Sequence, residues 1–222
     1  PVQVEDDIIV RCRIRNVTEQ RRAERLQKVQ SALFQRMAEG DTLHMVLNHI
    51  ARFAEQEFPD AFVSILALEG NQLRHRVAPS LPDDFIHNLD GTEIGANVGS
   101  CGTAAFEKQE VVTEDIRTDD RWENYRHLAE DAGLRSCWSY PICGTEGAVL
   151  GTFALYGQEP RRPSTDERQL MRQLAFVASV AIEREQAQAD LLRNRTLLEQ
   201  AERTAQVGGW ECNIQDDTLL WT

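Results

Sequence analysis

The 222-residue chain has no excess of positive charge: 24 Lys and Arg stand against 36 Asp and Glu, a formal net charge of −12. Nucleic-acid binding draws on clustered cations that release counterions from phosphate, so this balance argues against it. The same shortage argues against a polybasic membrane anchor. Long apolar runs are also missing. The longest, such as Phe153–Tyr156, fall far short of the ~20 residues of a spanning helix, and no direct membrane insertion is expected. The opening residues carry no signal-peptide pattern, because Pro1 is soon followed by Glu5, Asp6 and Asp7. A cytoplasmic location is therefore the expectation. Cysteine is sparse and unpaired: Cys12, Cys101, Cys137, Cys143 and Cys212 form no CxxC. Disulfide scaffolds use dense, paired cysteines, so a reducing compartment is expected. Zinc sites use Cys and His at short spacing, and none occurs. His44 and His49 lie five residues apart, not the four that would stack two ligands on one helical face. No metal is indicated.

The composition that remains, 41% hydrophobic and 27% charged, is that of a globular protein. The length suits one full domain with long helices or pieces of neighbours. A β-branched run at 8–14 reads as a strand, and Asn16 or Thr18 caps a helix that continues to about Ala38 before Gly40. Asp41 or Thr42 caps a second helix with an apolar stripe of Leu43, Val46, Leu47, Ile50, Phe53 and Ala54. Ala61–Leu68, the turn Glu69-Gly70-Asn71 and Gln72–Val77 read as a hairpin. A short helix is expected at Asp83–Leu89 and another, rich in small residues, at Ser100–Glu107. Glu110–Val112 reads as a strand, Asp115–Trp122 as a polar loop and Trp122–Ala132 as a helix. Ser136–Ile142 and Val149–Tyr156 complete the strands. Ser164-Thr165-Asp166-Glu167 is a capping box that starts a helix running to about Ala205. Gly208-Gly209 stops it, and Trp210–Ile214 reads as a strand.

The fold class is therefore α+β, a mostly antiparallel sheet with helices on one face and long helices at both ends. The two end strands have no local partner, which marks the chain as a segment of something longer. In the exit helix, 170–180 is apolar around much of its circumference. Beyond Glu183 only Ala187, Leu191, Leu198 and Ala205 keep a 3.5-residue seam, consistent with a weak coiled coil or a solvated linker.

Five blocks carry a family resemblance. They are Gly99-Ser100-Cys101-Gly102-Thr103-Ala104-Ala105, Val112-Thr113-Glu114-Asp115-Ile116, Asp119-Asp120-Arg121-Trp122, Cys137-Trp138-Ser139-Tyr140-Pro141-Ile142, and Leu150-Gly151-Thr152-Phe153-Ala154-Leu155-Tyr156. In order and spacing they resemble a GAF domain of the bacterial sensory type, over 41–183. Ile14-Arg15-Asn16-Val17-Thr18-Glu19 looks like the exit motif of a PAS domain, with Asn16 where an Asp is usual. Ala205-Gln206-Val207-Gly208-Gly209-Trp210-Glu211 looks like the start of another. The resemblance implies a PAS remnant at 1–19, linker helices at 20–40 and 184–205, and a second PAS start at 206–222. It also implies a regulatory module of a signalling protein, such as a histidine kinase of a two-component system or a cyclic-di-GMP synthase or phosphodiesterase. The flanking helices would then form a parallel homodimer. No phosphoacceptor histidine motif, GGDEF or EAL signature is present, so the output enzyme would lie outside this chain.

A GAF cavity implies a small-molecule ligand, as yet unidentified, with no cofactor assigned. The candidate residues are Cys101, Thr113, Glu114, Asp115, Trp122, Tyr125, Arg135, Trp138 and Tyr140, with Ser139 as a further polar group: aromatic walls and a few polar contacts suit small ligands. Trp138 and Tyr140 are two apart on a strand and must share a face. They are expected to face the cavity. Cys101, before a helix whose free N–H groups would raise its thiolate fraction, is a redox sensor or nucleophile, or else a small residue packing a helix start, the favoured reading. Free methionine-R-sulfoxide reductases are GAF proteins with a Gly-x-Cys-Gly block that Cys101 matches. Their attacking cysteine has no counterpart between Glu114 and Arg135. Cys137 comes later, in an expected strand, a poor position for reach and mobility. No enzyme activity is expected. The alternative to a sensor is a dimerisation spacer that binds nothing. Bilin is disfavoured because Cys101 has no neighbouring His, and cyclic nucleotide because Asp166-Glu167 stands alone. Haem would need an axial His, for which His75, His87 and His127 are the candidates. Asp119-Asp120 and Asp216-Asp217 read as solvated turns.

Overall fold

The computed structural model describes residue 27 and residues 31–58, 60–205, 210–213 and 218–221. The strand expected at 8–14, the cap at Asn16 or Thr18 and the Gly208-Gly209 stop lie outside them. The chain divides into two compact units, Pro1–Gly40 and Asp41–Thr222. In the first, residues 31–39 are helical.

The second unit begins with helix α1 (Leu43–Glu57). The Thr42 hydroxyl accepts a hydrogen bond from the Met45 N–H, a cap that satisfies one of the free amides of the first turn. Val46, Leu47, Ile50, Ala51 and Ala54 form its buried stripe. Strands β1 (Ala61–Glu69) and β2 (Gln72–Val77) make the expected hairpin, with Glu69 opposite Gln72 across a two-residue turn. Helix α2 (Asp83–Leu89) follows, then the two-residue edge strand β3 (Thr92–Glu93). Glycines at 91 and 95 hid that strand inside an irregular stretch of sequence. Helix α3 (Gly99–Glu107), strand β4 (Val111–Thr113), a 3-10 turn (Asp120–Trp122) and helix α4 (Arg126–Asp131) come next. The single helix expected over Trp122–Ala132 is thus a 3-10 turn and a shorter α-helix. Strands β5 (Ser136–Cys143) and β6 (Val149–Gly157) precede helix α5 (Thr165–Ala205), 41 residues long. Its capping box is formed: Ser164 Oγ accepts from the Glu167 amide at 3.3 Å, and Glu167 Oε2 accepts from the Ser164 amide at 2.7 Å.

The six strands form one antiparallel sheet of order β3-β2-β1-β6-β5-β4. Cross-strand register fixes its two faces. Cys137 lies opposite Tyr156 and Ser139 opposite Ala154, while Trp138 lies opposite Leu155 and Tyr140 opposite Phe153. Partners opposite one another share a face and neighbours along a strand do not. One face therefore collects Ser64, Thr113, Cys137, Ser139, Thr152, Ala154 and Tyr156. The other collects Val63, Ile65, Trp138, Tyr140, Phe153 and Leu155. The two long helices α1 and α5 pack together on this second face, through Leu47, Ile50, Met171, Leu174, Val177 and Ala178, all buried. The first face is covered by α3 and by a smaller apolar cluster that includes Phe85, Ile116, Trp122, Leu134 and Tyr156.

Past Glu183 helix α5 is exposed along 185–201. Residues Trp210–Asn213 (β7) are extended as expected, but the strand has a local partner: β8 (Thr218–Trp221) pairs with it antiparallel, Trp210 opposite Trp221. The expectation of an unpaired C-terminal strand is corrected by that hairpin. Among the described residues no helix is long and apolar enough to cross a membrane.

Phe153 is fully buried between the sheet and the two long helices. Phe153→Ala should cost ~3–5 kcal/mol, the usual range for emptying a packed aromatic site. Urea denaturation measures this, and a loss below ~1 kcal/mol would mean that this layer is not tightly packed.

Candidate functional site

Helix α3 closes onto the first face of the sheet at its N-terminus, and glycine permits the approach. Gly99 has φ +55°, a left-handed conformation that L side chains rarely adopt. A Cβ on Gly102 would stand 2.7 Å from Val98, so only glycine lets the Val98 turn fold back on the helix. Ser100 and Cys101, between these glycines, are thereby held against β4, β5 and β6.

A directed chain of hydrogen bonds runs from Ser100 outward. The Trp122 indole N–H donates to Ser100 Oγ at 3.0 Å, Ser100 Oγ donates to Thr113 Oγ1 at 3.0 Å, and Thr113 Oγ1 donates to Asp119 Oδ2 at 2.8 Å. Each hydroxyl accepts once and donates once, so the buried polar atoms are satisfied in one direction. Asp119 ends the chain in a two-pronged ion pair with Arg121, whose Nη2 also donates to the Val112 carbonyl at 3.2 Å. Burial pushes the Asp119 carboxyl up, but hydrogen bonds from Arg121 and Thr113 outweigh it and hold the group below its ordinary value. The expectation of a solvated Asp119-Asp120 turn is correct only for Asp120, whose side chain is fully exposed.

On the other side of Ser100, Cys101 is half-buried and faces a second set of groups. Its Sγ lies 3.6 Å from the Tyr156 hydroxyl, which is 3.3 Å from Ser64 Oγ. A hydrogen bond with the Cys137 thiol is the largest influence on Cys101 and pulls its pKa down from 9.0 to about 7, opposed by burial and aided by Ser139, Tyr156 and Thr152. The depression thus comes from facing side chains, whereas the sequence suggested helix amides as its source. Cys137 moves the other way: burial and the Cys101 charge raise it well above 9.0. The Ser139 and Thr152 hydroxyls, both fully buried, have no hydrogen-bond partner of ordinary length. Cys137, read from sequence as poorly placed, is therefore beside Cys101.

A cavity of about 40 Å³ opens beside this cluster, bounded by Cys101, Trp122, Tyr125, Tyr156, Leu66 and Leu89 among others. Of the residues proposed from sequence, Cys101, Trp122 and Tyr125 meet at the cavity, and Thr113 supports it through Ser100. The others lie elsewhere. Glu114 is exposed and pairs with Arg162 at 2.6 Å. Asp115 and Arg135 pair with each other at 3.0 Å and brace a loop. Trp138 and Tyr140 face away from the cavity because strand parity puts them on the α5 side. The Trp138 indole N–H donates to the Arg161 carbonyl at 3.1 Å, and the Arg161 guanidinium stacks 4.3 Å from the ring centroid. Tyr140 lines a separate open groove of about 350 Å³ with Arg172, Phe176 and Glu110, where Glu110 is already paired with Arg168 and Arg172. The residues that sequence reading passed over are Ser64, Ser100, Thr152 and Tyr156. The signal for Thr152 and Tyr156 was two hydroxyl-bearing side chains four apart, on one face of the otherwise apolar β6; Ser64 and Ser100 stand singly in β1 and α3.

The chain matches the family model described as GAF domain over residues 40–183. It is 33% identical over 180 residues to the methyl sulfide methyltransferase-associated sensor of Methanosarcina acetivorans. That alignment covers 80% of this chain and 18% of the relative, so the chain spans under a fifth of that protein's length. Among solved structures, the GAF domain of a phosphoenolpyruvate-protein phosphotransferase from Coxiella burnetii superposes with a TM-score of 0.61 at 15% identity, covering 74% of this chain and 96% of that one. The reduced form of fRMsr of Staphylococcus aureus superposes with a TM-score of 0.56 at 16% identity, covering 71% and 94%. At these identities the structural matches speak to the fold.

Asp119 provides a pH test of the polar chain. A carboxyl whose folded pKa lies below its unfolded value contributes stability that is full above the unfolded value, near 3.8, and is lost as pH falls through the folded one. Asp119→Asn should therefore destabilise the protein at neutral pH, and its gap from the unmodified chain should close below about pH 4. Chemical denaturation at a series of pH values measures this. A gap that stays constant into strong acid would show that the carboxylate's charge is not what holds Thr113.

Proposed function

The chain belongs to the GAF domain family, and from that premise we propose that it is the sensory module of a larger signalling protein, reading a change at the Cys101 cavity and passing it to helix α5. The observation that carries this reading is the alternation along β5 and β6. Cys137, Ser139, Thr152 and Tyr156 share the α3 side of the sheet, where Tyr156 lines the cavity, while Trp138, Tyr140, Phe153 and Leu155 face the α1–α5 layer. A displacement on one face of a closely packed strand is felt on the other within one residue. The likeness to a sensor over 80% of this chain favours the same role.

The finer elements of the proposal follow the sequence. Two copies pair in parallel through their flanking helices. Leu191, Leu192, Leu197 and Leu198 on α5 are 55–71% exposed in a single chain, the kind of seam a second helix would cover. The ends belong to PAS domains at 1–19 and 206–222, the module is cytoplasmic, and the output is a histidine kinase or a cyclic-di-GMP enzyme elsewhere in the parent chain. The module itself is not an enzyme of the sulfoxide-reductase type, since no cysteine stands between Glu114 and Arg135. A second reading, the inert spacer, is favoured by one fact: a cavity of about 40 Å³ is far below the ~300 Å³ of ordinary small-molecule sites.

The two readings separate in a hydrogen-exchange measurement. Ser139→Val replaces a buried hydroxyl on the α3 side of the sheet whose one neighbouring group is the Cys101 sulfur. In a sensor, amide protection should change across residues 165–182 of α5, on the far side of the sheet, with the β1–β2 hairpin unchanged. A change confined to α3 and β5 would favour the spacer. Sedimentation at tens of micromolar tests the dimer, and a monomer there would remove it.

A further inference from the structure

The Cys101 cavity is too small for an organic ligand, yet it concentrates chemistry. At about 40 Å³ it holds roughly one or two water-sized molecules. Cys101 lines it, and the fully buried Cys137 thiol, hydrogen-bonded to Cys101, lies on the sheet face beneath, directly across from Tyr156. Two buried hydroxyls, on Ser139 and Thr152, share that sheet face; they reach the Cys101 sulfur and have no other partner. A buried hydroxyl without an oxygen or nitrogen partner is poorly satisfied, and this site has two. What such a site lacks is an acceptor atom beside Cys101.

We propose that Cys101 is a site of oxidation by small hydroperoxides, with the added oxygen received by the Ser139 and Thr152 hydroxyls and with Cys137 as the resolving thiol. Hydrogen peroxide is scarcely larger than water and fits where bulkier molecules do not. In the first step the Cys101 sulfur attacks one peroxide oxygen. An S–O bond forms, the O–O bond breaks, and the leaving hydroxide takes a proton to become water. Sulfur loses two electrons and the peroxide gains them, leaving a sulfenic acid. In the second step the Cys137 sulfur attacks Cys101 and the S–O bond breaks. Hydroxide leaves with the thiol proton as water, and a Cys101–Cys137 disulfide remains.

The asymmetry of the pair sets the order of events. Cys101 carries the thiolate character near neutral pH, and Cys137 stays protonated, so the sulfur of the residue that lines the cavity is the nucleophile. The Tyr156 phenol, pushed well above its ordinary pKa by burial, remains a donor 3.6 Å from Cys101 Sγ. Ser100 Oγ lies 3.5 Å from the Cys137 carbonyl, and Tyr156, which Cys101 Sγ meets, stands directly across from Cys137, so the residues at 101 and 137 are neighbours where α3 starts against β5. As a signal this chemistry rests on the sensory reading above; as chemistry it does not.

The test uses the full chain with Cys12, Cys143 and Cys212 changed to Ser, beside the unmodified chain, both reduced and folded by circular dichroism. With hydrogen peroxide, intact mass should fall by two hydrogens, and peptide mapping should join the peptides of Cys101 and Cys137. Cys137→Ser should instead stop at one added oxygen on Cys101, trapped by dimedone. Ser139→Ala with Thr152→Val should slow Cys101 oxidation about tenfold, the loss of about one charge-assisted hydrogen bond. Oxidation of Cys101 no faster than that of exposed Cys143 in the unmodified chain overturns the proposal, as does a disulfide mapped to another pair. Hydrogen exchange on the oxidised sample separates the two ideas. A disulfide with α5 unchanged removes the sensory reading and leaves the chemistry, and a redox-inert Cys101 does the reverse.

Discussion

The fold turns on two strands buried on both faces. Along β5 and β6 no residue from Ser136 to Tyr140 or from Gly151 to Tyr156 is open to solvent, so each successive side chain must satisfy a different environment. A slip of one residue in register would send Trp138 and Tyr140 into a space that fits Cys137 and Ser139. The two coverings differ in kind for the same reason. On the α5 side, aromatic and branched side chains meet an apolar helix face. On the α3 side, small and hydroxyl-bearing residues meet a helix start stripped to glycine, serine and cysteine. Bulk on one face allows space on the other.

That alternation also explains what could be read from the sequence. The hairpin at Ala61–Val77, the capping box at Ser164–Glu167 and the stripe on α1 were legible because each is a local pattern whose meaning does not depend on partners. Strand β5 was legible as a strand, and its residues sorted correctly into pairs. Which pair faced the cavity was not, because a strand apolar on both sides has no polar face to mark the outside. Trp138 and Tyr140 were natural candidates as large aromatics, and they are core instead. In β6 an apolar run concealed Thr152 and Tyr156, whose roles appear only when β1 and β5 are laid alongside. Asp119 looked solvated because an Asp-Asp pair reads as a turn, and only the fold brings Thr113 and Arg121 to it. The strand β8 was missed because four residues after an Asp-Asp pair carry too little pattern to stand out alone.

The polar groups under α3 are divided in a way that no packing argument requires. On one side of Ser100 the chain Trp122–Ser100–Thr113–Asp119 is complete, each atom partnered and the last one anchored by Arg121. On the other side Ser139 and Thr152 are buried with no partner but the Cys101 sulfur. If the polar face were only a device for seating the helix, valine and alanine would seat it as well without the desolvation cost. The saturated side reads as support and the unsaturated side as the part of the structure that still has bonds to make.

The two thiols fit that division. Two neighbouring thiols do not ionise together, since the first charge raises the second pKa. Here environment decides which ionises: the Cys101 sulfur receives the hydrogen bonds and the Cys137 sulfur donates one. The result is a nucleophile with its proton-bearing neighbour already in contact, inside a space that admits little more than water. Such a cavity discriminates by size before it discriminates by shape, and a larger ligand would have to displace Tyr156 or Trp122, each of which is tied by its polar atom to the framework that holds the cavity. Opening the cavity would break the same hydrogen bonds that define it, so an unopened cavity acted on by a very small reagent is the lower-cost route by which this face of the sheet can change state.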